Sequence, residues 1–183
     1  KGRAADDATR AGFAAAWQPL FDRLLDLEPG LVLRDYHSPN LMWLPERPGI
    51  GCVGILDFQD AMRGPWAYDL VSLLQDARLD VSPELETRLL EHYCEAVTRQ
   101  APGFDREEFA FAYAALGAQR NTKILGIFAR LARRDGKSRY LRHLPRIWGY
   151  LARDLAHPDL AGLRSWYERS FPEAERLRPF PAV

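Results

Sequence analysis

The spacing of apolar residues predicts that the chain begins with a helix. Between positions 6 and 28, apolar side chains recur at intervals of three and four residues, until Pro29 and Gly30 end the run. Such intervals place side chains on one face of an α-helix, and a Pro-Gly pair is a strong stop signal. The apolar positions of this face are Phe13, Trp17, Leu20, Phe21, Leu24 and Leu25.

The segment that follows changes to short apolar runs, which are typical of strands. Residues 31–33, 41–44 and 52–56 are rich in apolar side chains and too short for helices. The second and third runs are separated by Pro-Glu-Arg-Pro-Gly at 45–49, a sequence dense in turn-forming residues. We therefore predict a strand at 31–33 and a small hairpin over 41–56.

From Pro65 onward, helical spacing predominates almost to the end of the chain. Asp105 is the expected N-cap of a long helix that carries apolar residues on more than one face, so this helix is predicted to be central and largely buried. The predicted helices cover residues 66–79, 82–100 and 105–133, with two or three more over 138–171 and a tail at 177–183.

Composition narrows the class of protein. A chain of 183 residues, 47% of them apolar, is large enough for a core, and we predict a single domain over 1–183 of the α+β class, mainly helical. Lys and Arg total 25, as do Asp and Glu, which argues against a nucleic-acid binder that depends on bulk positive charge. Since no apolar run approaches the roughly 20 residues of a membrane span, a cytoplasmic protein is predicted. Because the chain opens at Lys1 rather than at a methionine, we interpret it as a piece of a longer protein.

Chemistry-bearing residues concentrate around the predicted hairpin. Asp35 and Asn40 stand at the two ends of a polar loop between predicted strands. Asp57 directly follows the third strand, and Asp60 comes three residues later. Phosphoryl transfer uses such a set, because one Asp can orient the attacking hydroxyl while Asn and Asp oxygens hold Mg²⁺ against nucleotide phosphates.

The same residues carry a resemblance to a known family. The spacing D-x-x-x-x-N followed by a strand-borne D-F resembles the catalytic loop and metal loop of protein-kinase-like phosphotransferases. The segments that resemble the aminoglycoside phosphotransferase and choline kinase branch are "RDYHSPN" and "LDFQDA…GPWAYDL". A third segment, "AQRNTKILGIFARLARRDGKSRYLRHLPR", is similar to bacterial kinases that phosphorylate the anomeric hydroxyl of N-acetylmuramic acid and N-acetylglucosamine in cell-wall recycling. The resemblance implies a kinase-like C-terminal lobe with a small β-hairpin at the catalytic edge, using ATP and Mg²⁺.

Roles follow from the resemblance position by position. Asp35 matches the catalytic base, and Asn40 and Asp57 match the residues that bind Mg²⁺ and, through it, the nucleotide. His37 lies where many kinases carry a lysine near the transferred phosphoryl group, so it is a second catalytic candidate. Asp69 matches a buried aspartate that supports the catalytic loop from a helix. For Asp60, a place in the metal site and a contact with substrate both stay open.

Two departures from the family's pattern are visible. Leu33 occupies the position where the family usually has a histidine that packs against the metal loop, so Leu33 is expected to fill the same apolar space as structural support. The family's N-terminal nucleotide lobe is absent from these residues, which contain no Gly-rich loop and no V-A-I-K-like strand. That lobe is therefore an expected partner, in the same or a separate chain, and the isolated chain is not expected to turn over ATP.

Several alternatives stay open. The acceptor is predicted to be a small polar molecule, an amino sugar first and an aminoglycoside or a choline-like amine second, while a non-catalytic binding or scaffolding lobe is the other class. A basic stretch on the long helix is interpreted as a solvated face, or as a surface that attracts a sugar acid or phosphate. The aromatic residues Trp43, Trp66, Trp148 and Tyr150 are predicted to be core rather than a sugar platform.

Overall fold

A computed structural model describes residues 5–176, and the predicted tail at 177–183 lies outside the described residues. Of the described residues, 68% are helical and small antiparallel sheets complete the fold, which confirms the predicted α+β, mainly helical class. In chain order the helices and strands are α1 (Asp7–Asp26), β1 (Gly30–Val32), β2 (Leu41–Trp43), β3 (Val53–Ile55), β4 (Met62–Gly64), α2 (Ala67–Leu74), α3 (Pro83–Gln100), α4 (Arg106–Asp135), α5 (Leu144–Asp154), α6 (Ala161–Ser170) and α7 (Glu173–Arg176).

The described chain divides into two compact units. Unit 1 contains residues 5–28 and 118–176, and unit 2 contains residues 29–117. Every candidate site residue predicted from the sequence belongs to unit 2. The interpretation of residues 1–183 as one C-terminal lobe stays a prediction.

In unit 1, α1 packs against α6 through aromatic side chains. Helix α1 begins where the Asp6 carboxylate accepts a hydrogen bond from the Thr9 amide at 2.8 Å, an N-cap that satisfies a free helix donor. The Phe13 ring lies edge-on to Trp166 at 4.9 Å between centroids. The predicted apolar face is only partly correct, because Trp17 is buried whereas Leu25 is 82% exposed.

Unit 2 carries two small sheets. Strands β2 and β3 pair antiparallel with Met42 opposite Gly54, which confirms the predicted hairpin. Strands β1 and β4 also pair antiparallel, with Leu31 opposite Arg63. Strand β4 was not predicted, because three residues without alternating polarity carry no strand signal of their own and only the pairing with β1 defines them.

Helix α2 is shorter than predicted, since it ends at Leu74 rather than near residue 79. The Asp76 carboxylate accepts hydrogen bonds from the amides of Arg78 at 2.7 Å and Leu79 at 3.3 Å, which holds a turn in place of further helix. At its other end α2 lies close to β1, because a Cβ on Gly30 would come within 3.0 Å of the Trp66 Cβ. This close approach brings the loop after β1 next to α2.

An aromatic cluster and a buried polar network join the helices of unit 2. Trp66 stacks on Phe109 at 5.3 Å, and Phe109 in turn stacks on Tyr93 of α3. The N-cap of α4 is Asp105, as predicted, since its carboxylate accepts from the amides of Glu107 and Glu108. The buried Glu86 carboxylate accepts from the Tyr113 hydroxyl at 2.8 Å and from the Gln75 amide at 3.0 Å.

Candidate active site

Asp35 lies in a tightly wound loop between β1 and β2. The Asp35 amide donates to the Leu33 carbonyl at 2.9 Å, and the His37 amide donates to the Asp35 carbonyl at 3.0 Å. The loop ends in a single turn of 3₁₀ helix at Ser38–Asn40, where Pro39 removes a donor that would otherwise need a partner. These local bonds set the position of Asp35 relative to Asn40 over only five residues.

The residues before Asp35 are held from α2. The Asp69 carboxylate accepts from the Leu33 amide at 2.6 Å and from the Arg34 amide at 3.0 Å. Arg34 has a φ of 72°, a left-handed conformation that costs a residue with a Cβ roughly 1 kcal/mol. Such a conformation persists where surrounding contacts hold it, and the two hydrogen bonds to Asp69 provide that hold.

Partial burial perturbs the Asp69 carboxyl. Burial raises the pKa of Asp69 above its ordinary value of 3.8, because the ionised form loses water, while the hydrogen bonds from Leu33 and Arg34 act in the opposite direction. Leu33 is half-buried and reaches Asp69 through its backbone amide, so a side chain other than histidine does not disturb this contact. The geometry agrees with the supporting roles expected for both residues, and those roles stay predictions.

Asn40 links Asp35 to Asp57. Its side-chain amide nitrogen Nδ2 donates to the Asp35 carbonyl at 2.9 Å and to Oδ2 of Asp57 at 3.3 Å. The Asn40 carbonyl accepts from the Leu56 amide at 2.9 Å, which extends the β2–β3 pairing to the residue next to Asp57. Three residues predicted to act together therefore lie within one hydrogen-bonded group, although Asn40 and Asp57 are 17 positions apart.

The atoms of this group fit a magnesium ion. Both hydrogen bonds of the Asn40 side chain use Nδ2, so its carbonyl oxygen Oδ1 is the atom available as a ligand, beside the carboxylate of Asp57. These are hard oxygen donors, and Mg²⁺ is commonly bound through one or two carboxylates while it keeps several waters. Within residues 5–176, no group of three or more His, Cys, Asp or Glu side chains is arranged to hold a metal ion.

Two predicted site residues do not join this group through their side chains. Asp60 is exposed in the turn after β3, and in the described chain no hydrogen bond or ion pair joins it to Asn40 or Asp57. His37 is half-buried, and its ring nitrogen Nδ1 is buried without a hydrogen-bond partner among the described residues. His37 contacts the site through its backbone, whose carbonyl accepts from the Asn40 amide at 2.8 Å. The roles of Asp60 and His37 stay predictions.

Sequence reasoning missed one residue of the group. Gln59 donates from its side-chain nitrogen Nε2 to Oδ1 of Asp57 at 2.5 Å. Asp57 has a φ of 57°, so it also adopts the left-handed conformation. The only signal was a glutamine two positions after the aspartate in "LDFQDA", where protein kinases carry a glycine.

The hairpin and the segment after it expose large apolar side chains. Trp43 is 68% exposed, which makes its predicted place in the core wrong, whereas Trp66 and Tyr150 do pack among other aromatic residues or lie buried. Exposed large apolar residues of the hairpin and of the segment directly after it are Met42, Trp43, Ile50, Val53, Ile55, Leu56 and Phe58. We call this set the apolar rim of the site.

The basic stretch on α4 belongs to unit 1. Of the six basic residues in this stretch, Arg120 is half-buried, and the other five are exposed, as the solvated-face interpretation predicts: Lys123, Arg130, Arg133, Arg134 and Lys137. Arg134 pairs with Asp135 at 2.6 Å, and this hydrogen bond holds the pKa of the Asp135 carboxyl below its usual value.

Among the helices that the structure describes, none combines the length and apolar character needed to cross a bilayer.

Comparison with known proteins agrees with the arrangement. The sequence profile of the family described as "Phosphotransferase enzyme family" (APH) matches residues 1–112, more than half of the chain. A protein of Caulobacter vibrioides named N-acetylmuramate/N-acetylglucosamine kinase is 46% identical over 171 residues, which are 93% of this chain and 46% of that protein. Proteins of the same name from Neisseria meningitidis and Pseudomonas putida are 43% identical over 145 residues and 38% identical over 160 residues.

The aligned residues make up most of this chain but less than half of each relative. The aligned residues are 75% of this chain and 41% of the Neisseria protein, and 86% of this chain and 46% of the Pseudomonas protein. The chain thus spans about half the length of the curated relatives that it matches. The family profile covers more than half of the chain, including Asp35, Asn40 and Asp57, and the chain therefore belongs to the phosphotransferase enzyme family.

Proposed function

We propose that the protein carrying this chain is an ATP-dependent phosphotransferase that acts on a hydroxyl of an amino sugar, of the N-acetylmuramate and N-acetylglucosamine type. The observation that supports this most is the side chain of Asn40, which donates to the backbone carbonyl of Asp35 and to the carboxylate of Asp57. Phosphoryl transfer depends mainly on positioning and on stabilisation of charge, and a preorganised group of this kind can supply both.

Each residue of the group has a distinct task in this proposal. Asp35 accepts a hydrogen bond from the attacking hydroxyl and orients its oxygen, and it receives the proton as the new bond forms. Asn40 and Asp57 would hold Mg²⁺, whose chemistry there is to neutralise charge on the nucleotide phosphates. Asp69 keeps the loop wound through the Leu33 and Arg34 amides, so that Asp35 stays in place during the reaction.

The names of the relatives support the choice of acceptor. Three relatives from different bacteria share the name N-acetylmuramate/N-acetylglucosamine kinase at 38% to 46% identity, and their alignments cover most of this chain. We propose the anomeric hydroxyl as the acceptor atom and cell-wall sugar recycling in the cytoplasm as the setting. An aminoglycoside or choline-type acceptor is the alternative within the family.

The apolar rim is evidence that another protein lobe packs against the site. Large apolar side chains such as Trp43 and Phe58 are costly to leave in water, and exposed sets of them mark surfaces that another body covers. We propose that a nucleotide-binding lobe, in the same or a separate chain, packs there. A non-catalytic lobe could also have a partner on its apolar rim, but such a lobe does not require Asp35, Asn40 and Asp57 to be joined by hydrogen bonds.

The test measures transfer from labelled ATP by the full-length protein that contains this chain. N-acetylmuramate, N-acetylglucosamine and kanamycin are compared at equal concentration, and we expect the two amino sugars to react at least about 10-fold faster than kanamycin. Replacement of a general base typically costs about 10²–10⁴ in rate, and we expect this loss from Asp35→Asn. Asp26→Asn, at an exposed position in the last turn of α1, is the matched control and should retain full activity.

Two results would contradict the proposal. A preference for kanamycin would move the acceptor to the aminoglycoside class. An Asp35→Asn variant as active as the Asp26→Asn control would remove Asp35 from the chemistry and leave a binding lobe as the better function.

A further inference from the structure

We propose that Gln59 is a positioning residue that holds the Asp57 carboxylate in the orientation in which Asp57 and Asn40 share a divalent cation. This inference rests on the proposed function, because it concerns the same metal site. Its basis is that the two oxygens of Asp57 have different amide partners. Oδ1 accepts from Nε2 of Gln59 at 2.5 Å, and Oδ2 accepts from Nδ2 of Asn40 at 3.3 Å.

Asp57 needs such a partner because its side chain is exposed, and its two described hydrogen bonds are those with Gln59 and Asn40. It lies two residues after the end of β3, it is exposed, and its backbone has the left-handed φ of 57°. An exposed carboxylate normally samples several rotamers, and a cation that binds it must first restrict them. A donor on each oxygen fixes the plane of the carboxylate before any cation arrives.

The two partners are not equivalent. Gln59 is two residues away along the chain, and it donates to Oδ1, the oxygen of Asp57 that accepts no hydrogen bond from Asn40. Oδ2 is the oxygen that faces Asn40, the other predicted ligand. We therefore assign Oδ2 to the cation and Oδ1 to Gln59. Carboxylates that ligate metals are themselves hydrogen-bonded, and loss of such a partner typically lowers metal affinity about 10–100-fold.

The opposite role for Gln59 makes the opposite prediction. If its amide competed with the cation for Asp57, removal of that amide would tighten binding. If Gln59 only stabilised the turn, its removal would change folding stability without changing the affinity for the cation. Direct binding of a cation distinguishes all three roles without any measurement of catalysis.

The experiment titrates the 183-residue chain with Mn²⁺ alone and follows free Mn²⁺ by electron paramagnetic resonance. We expect Gln59→Leu to raise the dissociation constant about 10-fold. Gln100→Leu is the matched control, since Gln100 is exposed at the end of α3, and it should stay within about 2-fold of the parent chain. Urea unfolding of each variant, followed by circular dichroism, verifies that the same midpoint accompanies the change in affinity.

A second measurement uses the side-chain amide signals of Gln59 and Asn40 in a ¹H–¹⁵N spectrum. On addition of Mg²⁺, the Asn40 signals should shift strongly because its carbonyl oxygen enters the coordination sphere. The Gln59 signals should keep the position of a hydrogen-bonded amide. A Gln59 amide released by Mg²⁺ would overturn the assignment of Oδ1 to Gln59.

The outcomes separate this inference from the proposed function. If Asp57→Asn abolishes Mn²⁺ binding while Gln59→Leu leaves it unchanged or tighter, the metal site stands and the inference about Gln59 is wrong. If the parent chain binds no Mn²⁺ through Asp57, the metal site fails and the role of Gln59 fails with it. A weaker affinity in Gln59→Leu with an unchanged urea midpoint supports the inference.

Discussion

Replacement of Asp69 by alanine tests whether α2 holds the loop that contains Asp35. The Asp69 carboxylate accepts from the amides of Leu33 and Arg34, and these two contacts join residues about 35 positions apart in the chain. Alanine removes both acceptors at once and adds no new group. The loop should then lose its connection to α2, while α2 itself keeps its hydrogen bonds.

The expected loss of stability follows from the two amides that lose their acceptor and must bond to water instead. A typical intramolecular hydrogen bond contributes about 1 kcal/mol net, so the two together contribute about 2 kcal/mol. Release of Arg34 from its left-handed conformation returns about 1 kcal/mol of strain. The free energy of unfolding of Asp69→Ala should therefore fall by about 1–2 kcal/mol, and exchange of the Leu33 and Arg34 amides with solvent should accelerate at least about 10-fold.

Urea unfolding measures the global change, and hydrogen exchange followed by NMR measures the local one. Asp26→Ala is the control, because Asp26 is exposed at the end of α1, and its free energy of unfolding should stay within about 0.5 kcal/mol of the parent chain. If the Leu33 and Arg34 amides of Asp69→Ala exchange as slowly as those of the parent chain, Asp69 does not hold the loop, whatever the global stability.

Two further predictions concern pH and the core of unit 2. Burial raises the pKa of the Asp69 carboxyl above 3.8, so the folded chain binds a proton at Asp69 more tightly than the unfolded chain does. The contribution of this proton to the free energy of unfolding is complete below about pH 3.8. It is lost as the pH rises through the raised pKa. Urea titrations at successive pH values measure the free energy of unfolding of the parent chain and of Asp69→Asn. The parent value minus the Asp69→Asn value should fall as the pH rises over this range. A difference that rises with pH would contradict a raised pKa of Asp69. Tyr113→Phe removes the 2.8 Å hydrogen bond to the buried Glu86 carboxylate and should cost about 1–3 kcal/mol by urea unfolding, whereas Tyr36→Phe, at a half-buried loop position, should cost less than about 0.5 kcal/mol. Equal effects of the two substitutions would show that the Glu86 contact adds nothing to stability.

Local signals account for most of what was predictable about the fold. The stop at Pro29-Gly30, the cap at Asp105 and the turn at 45–49 each act over a few residues, and the structure has α1, α4 and the β2–β3 hairpin where these signals place them. Helix α2 is the exception, because its predicted extension to residue 79 is overridden by the Asp76 carboxylate, which caps a turn instead.

The types of residue in the site were also readable, because phosphoryl transfer requires carboxylates and amides at restricted spacings. Asp35, Asn40 and Asp57 were predicted to act together, and they do lie in one hydrogen-bonded group. No spacing rule indicated that Gln59 would donate to Asp57, since a glutamine in a turn after a strand is usually solvated.

By itself, the amino-acid sequence determined the helical periods, the hairpin and the chemical set of the site, because these depend on neighbours along the chain. Tertiary structure alone decided the pairing of β1 with β4, the left-handed backbone at Arg34 and Asp57, and the exposure of Trp43. Each of these depends on contacts between distant segments or on what covers a surface. The physical reason is that such contacts form only when segments distant in the sequence pack together. Periodicity and spacing describe neighbours along the chain and do not indicate which distant segments will meet.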